Sequence, residues 1–155
     1  MKTMKKLLFL FLLVFCCACE EDKSVDPTLM PEATTSGQNT LGCLIDGWLY
    51  VSGRYGRPEV YVHDDEEDGN QYVTVVAKVG VFNVLEFTLV NPRQGASCSY
   101  IKAALDSDKL KDGEAYITRM NGSIISGTFS GEDLKEGRFD LRYDGDSEGS
   151  GEVIY

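Results

Sequence analysis

The chain has 155 residues and carries 25 aspartates and glutamates against 15 lysines and arginines, a formal charge of −10. That excess of acid excludes nucleic-acid binding by charge neutralisation and electrostatic docking on anionic membranes. Histidine occurs once, at residue 63, so a histidine-activated nucleophile would have to use His63, and no zinc-ligand set is present.

Lys2, Lys5 and Lys6 precede an apolar run from Leu7 to Phe15, and Cys16-Cys17-Ala18-Cys19 follows. A basic start, a short apolar run and a small residue before the cut form a secretory signal. The run is shorter than the ~20 residues of helix that span a bilayer. Of the three crowded cysteines only Cys19 follows a small residue, as lipoprotein-type processing requires, although Cys16 stands where a leucine is usual. The sequence therefore predicts a signal peptide over 1–18 and lipid attachment at Cys19, with the membrane held through that lipid. Each buried methylene contributes about 0.8 kcal/mol, and two or more chains make such an anchor stable. Removing 1–18 takes away three lysines and no acids, leaving 12 basic residues against 25 acidic ones.

From residue 19 to 39 the chain is polar, with Pro27, Pro31 and a Thr34-Thr35-Ser36-Gly37 stretch, and reads as a flexible tether. About 20 extended residues reach up to roughly 65 Å. One domain, 40–155, follows. Leu41 to Ile45, Asp46-Gly47 and Trp48 to Ser52 form a hairpin signal, because Asp-Gly accepts the positive φ angles of a type I′ turn. Further strands are expected at 59–63, 71–79 and 84–90. Residues 97–105 suit a strand or a short helical turn, and 106–113 a loop. Strands at 114–119, 124–130 and 138–143 follow, with turns at Asn121-Gly122 and across 131–137. Val153 to Tyr155 suits an edge strand. Turn signals every 8–12 residues and no helix-length periodicity predict an all-β fold of about 8–9 short strands, an antiparallel β-sandwich or a partly open barrel.

Cys43 and Cys98 are the cysteines left in the domain. In an oxidising compartment they could form a disulfide, which over a loop of about 55 residues contributes roughly 3–4 kcal/mol; equally, they could remain two separate buried thiols. Trp48 and Tyr50 should share a face of their strand. With Tyr55 they are candidate ligand-facing aromatics, and burial in the core is the stronger expectation for the strand pair. The acidic loops 64–70 and 144–149 place carboxylates at alternating positions before a glycine, but neither completes an EF-hand, so they read as solvated loops. No serine lies in a nucleophile-elbow pattern. Scattered carboxylates make no recognisable glycosidase pair. The expectation is a non-enzymatic protein without cofactor or metal.

Two stretches carry a resemblance. Pro31, Ala33, Thr34, Gly37, Asn39, Thr40, Gly42 and Cys43 make the first, and Ile125-Ser-Gly-Thr-Phe129 with Gly137-Arg-Phe-Asp140 the second. Together they resemble a family of small, uncharacterised Bacteroides-type lipoproteins, matching both ends of the domain but little of 52–112. The Glu20-Glu21-Asp22-Lys23 run after the cysteine is similar to the surface-export signal of lipoproteins in that bacterial group. The resemblance implies an outer-membrane lipoprotein facing outward, with the periplasmic face as the alternative, and brings no catalytic residues. The functional expectation is a binding or accessory module for a glycan or a protein; the alternative is an assembly lipoprotein that binds another envelope protein.

Overall fold

The structure, a computed structural model, describes residues 29–53 and 55–143. Cys19, the signal peptide, the acidic loop 144–149 and Val153–Tyr155 lie outside them. Ten strands follow one another: β1 (Thr40–Ile45), β2 (Trp48–Val51), β3 (Glu59–Asp64), β4 (Gln71–Lys78), β5 (Val84–Val90), β6 (Ala96–Leu105), β7 (Asp108–Lys109), β8 (Gly113–Asn121), β9 (Ile124–Gly131) and β10 (Leu134–Arg142). Asp46 and Gly47 both take positive φ, 51° and 77°, as the two-residue hairpin between β1 and β2 requires. Residues 96–105 are strand, not helix. The turn expected across 131–137 is much shorter, because β10 begins at Leu134.

All pairings are antiparallel, in the order β2-β1-β10-β9-β8-β6-β5-β4-β3, with the two-residue β7 attached to β6. One continuous sheet curls into a half-barrel, which selects the partly open barrel over two stacked sheets. Register slips help to bend it. They fall at Gly42/Leu44 in β1, Glu86/Thr88 in β5 and Ile117/Arg119 in β8. Two extra residues opposite these slips, Glu136 and Lys102, sit at φ 49° and 53°. No helix among the described residues is long and apolar enough to cross a membrane.

The concave side holds the core. Alternate residues of each strand face inward, among them Leu41, Val73, Val75, Leu85, Ile117 and Leu141, all fully buried. Aromatic rings fill the centre. Phe87 and Phe129 lie 4.8 Å apart between centroids, and Tyr100 meets Phe129 edge-on at 86°. Tyr100 covers the paired Gly113 and Gly131 so closely that a Cβ on either would collide with its hydroxyl. That buried hydroxyl has no hydrogen-bond partner among the described residues, and burial pushes its pKa up to about 12.

Residues 31–39 do not form a free tether. They lie as a strap across the convex side of β9 and β10, so the ordered domain starts well before residue 40. Asp140 faces outward from β10, yet is only 1% exposed because the strap covers it. Its carboxylate accepts bonds from the Thr34 hydroxyl (2.6 Å), the amides of Ser36 (3.1 Å), Gly37 (2.8 Å) and Gln38 (3.0 Å), and the Ser126 hydroxyl (2.6 Å). Three arginines take the strap's carbonyls. Arg119 donates to Thr35 (2.6 Å), Arg138 to Pro31 (3.2 Å), and Arg142 to Ser36 and Gly37 (both 2.9 Å). Further along, Pro31 and Met30 pack over Gly42, where a Cβ would strike both.

Burial raises the pKa of Asp140, but the bonds from Ser126, Thr34, Gln38 and Gly37 outweigh it and hold the carboxyl below its ordinary value. A carboxylate whose pKa is depressed by folding contributes stability that is complete above the unfolded value and lost as pH falls through the folded value. Asp140→Ala leaves several buried donors without an acceptor and is expected to cost about 3 kcal/mol or more, read as a lowered urea midpoint at neutral pH. The difference between wild type and variant should shrink as the solution is acidified below the ordinary carboxylate range. Tyr100→Phe removes an unpartnered buried hydroxyl, and its urea midpoint should stay level or rise.

Candidate functional site

The strap also raises a wall on an otherwise smooth sheet. Beside it, on the convex side of β6, β8, β9 and β10, lies an open groove of about 600 Å³ with Ala33 of the strap at its rim. Two rows of side chains cross its floor. Ser97, Tyr116, Thr128 and Arg138 are successive cross-strand partners, and Glu114 and Ser130 make a shorter row with Glu136 beside Ser130 on β10. With strands about 4.8 Å apart, a four-strand row spans roughly 14 Å. Tyr116 is 46% exposed, a ring standing among hydroxyls, carboxylates and one guanidinium.

Outward placement of Tyr116 follows from β8 itself, where Ala115 and Ile117 on either side are buried. The signal was present in that alternation but carries no motif. Arg138 reaches both groove and strap, since its guanidinium donates to the Pro31 carbonyl.

The aromatics singled out from sequence are not gathered. Trp48 is 65% exposed at the first position after the turn, which corrects the expectation that it is core; although it pairs with the buried Ile45, it stands on the edge strand, with no strand beyond it among the described residues. Tyr50, opposite Cys43, is half-buried against the core. Tyr55 is exposed in the connection to β3. The ring pairs among the described residues all lie in the core, and none joins Trp48, Tyr50 and Tyr55.

Three carboxylates of loop 64–70 are taken up by bonds within the loop or to the start of β4, where Gln71 donates to Asp64. Asp65 caps the Glu67 amide (2.8 Å), while Asp68 takes the Asn70 amide (2.8 Å) and the Tyr72 hydroxyl (2.6 Å). Those bonds hold the Asp68 carboxyl below its usual range. Among the described residues no three His, Cys, Asp or Glu side chains converge to hold a metal. His63 is exposed on β3, opposite Tyr72, and the groove's serines lie on other strands. Glu114 and Glu136 stand two strands apart on a solvated face. The arrangement offers a stacking ring and hydrogen bonds.

Cys43 and Cys98 are free thiols, the first buried in β1 and the second half-buried in β6. Burial pushes Cys43 up to about 12; Cys98 is raised by burial and then by the Glu114 charge. Comparison with family models, curated proteins and solved structures finds no match. Since the thiolate is the reactive form, a maleimide at pH 8 should label Cys98 slowly and Cys43 only after denaturation, with each label located by peptide mass spectrometry. A label on Cys43 before unfolding would contradict its burial.

Proposed function

We propose that the chain is a lipid-anchored, non-catalytic binding module that takes a glycan in the groove beside the strap. The observation that carries this reading is the exposed Tyr116 ring set in rows of hydroxyl, carboxylate and guanidinium groups. Sugars present apolar C–H faces ringed by hydroxyls. They are therefore held by one aromatic face with donors and acceptors around it. A four-strand row of roughly 14 Å suits a short oligosaccharide. The open, solvated floor supports retention rather than turnover.

Anchoring comes from Cys19 and its preceding signal, and the acidic run Glu20 to Lys23 supports display on the outer membrane. The resemblance to Bacteroides-type lipoproteins belongs to this reading. With the strap bound down, only the residues before Met30 are left to link lipid and domain.

Cys19→Ser should move the protein from the membrane fraction to the soluble one, as seen by immunoblot of fractionated cells. Membrane retention would remove the anchor from the account. On a glycan array, Tyr116→Ala should lose binding by about tenfold or more, the worth of one stacked ring and its burial, while Trp48→Ala should not. Equal binding by both variants, or no binding by the wild type to any glycan, would reject the groove.

A further inference from the structure

A second surface has a different chemistry. An open groove of about 650 Å³ runs along the start of β3, with Arg142 and Tyr143 at the end of β10 on its other side. Three cations line it, Arg57, Lys78 and Arg142, in a chain whose formal charge is −10. None pairs with a carboxylate among the described residues, where the ion pair found is Lys111–Glu132. Arg57 and Arg142 donate to neutral main-chain carbonyls, which leaves their charge uncompensated. The one acid in the lining, Glu59, accepts from the Tyr61 hydroxyl. Val76 and Val84 supply apolar surface between the charges.

The wall of this groove is a sheet edge. β3 pairs with β4 along all six of its residues and ends the sheet, so among the described residues its other side has no partner strand. A free edge offers a row of amide and carbonyl groups to an incoming chain. Pro58 and the charged Glu59 and Asp64 guard the two ends of this edge, whereas its middle, Val60-Tyr-Val-His63, contains no proline, lysine or carboxylate to oppose an incoming strand.

We propose that this groove binds an extended acidic segment of a partner polypeptide, added to β3 as a further strand. Main-chain bonds to the edge would supply affinity, and alternating side chains specificity. Inward-facing apolar residues of the partner would extend the Val60 and Val62 face. Outward-facing carboxylates would meet Arg57, Lys78 and Arg142. The partner segment thus alternates carboxylates with β-branched or aromatic residues. This proposal does not rest on the glycan reading and uses none of the residues that line that groove, although Arg142 also holds the strap.

The test uses the detergent-solubilised full chain and a synthetic peptide of alternating glutamate and valine, with a lysine–valine peptide as control. The acidic peptide should bind, weaken by about tenfold at high salt as screened charge pairs do, and slow hydrogen exchange in Val60–Asp64. The control peptide should not bind. Arg57→Glu with Lys78→Glu should weaken binding by about tenfold or more. Lys78→Glu alone, which breaks no hydrogen bond in the structure, should weaken it measurably. Absent binding, binding indifferent to charge reversal, or binding without slowed β3 exchange would overturn the proposal. So would β3 protection in the free chain that disappears on removing residues 144–155, since the chain would then occupy its own edge. Protection that grows with protein concentration would assign the edge to a second copy and likewise overturn it.

Discussion

The carboxylate of Asp140 sits under the strap with five donors around it, and the convex side of the protein is organised by that contact. A buried carboxylate is expensive unless its lone pairs are satisfied. Here strap amides and two hydroxyls satisfy them, and in return residues 34–38 lose their freedom. The three arginines act on the opposite polarity, taking the carbonyls that the strap's irregular backbone leaves open. Amides to an acid and carbonyls to bases fix the strap in one position and direction. The groove wall at Ala33 exists because of that fixing.

The same contact gives the two resembling stretches a physical meaning. Pro31, Thr34, Gly37 and Asn39 belong to the first; Ser126, Arg138 and Asp140 belong to the second. Long stretches of chain separate them, yet Arg138 and Asp140 bond to residues of the first stretch, and Ser126 completes the Asp140 carboxylate from within the second. Asn39, at φ 59°, accepts the Arg142 amide at 3.0 Å, and Gly37, at φ 75°, lies against the Arg142 side chain. The two stretches of this chain form one lock.

Much of the sheet was legible in the chain because local chemistry decided it. Asp46-Gly47 demands a tight hairpin, and the alternation in β4 and β5 matches the observed strands to within a residue. The strap was not legible, since Thr34-Thr-Ser-Gly37 has a linker's composition and nothing local shows that its acceptor is Asp140. Residues 131–137 looked like a loop because of Gly131, Gly137 and their charges; pairing with β1 and β9 overrode that preference and left a bulge at Glu136. Trp48 looked like core because aromatic residues usually are, but its place beside the turn on an edge strand set it outside. Tyr116 carried no motif and emerged only when four strands placed Ser97, Thr128 and Arg138 beside it.

The proposed binding groove depends on the strap, because the exposed ring and the cross-strand rows become a bounded groove only while the wall stands. The most direct measurement is native-state hydrogen exchange of the Ser36, Gly37 and Gln38 amides in wild type and Asp140→Asn. In the wild type these amides should be protected nearly as strongly as those of the central strands β8 and β9. In the variant they should exchange far faster while the strands keep most of their protection. Exchange of the three wild-type amides at the rate of an unstructured peptide would contradict the account at its centre.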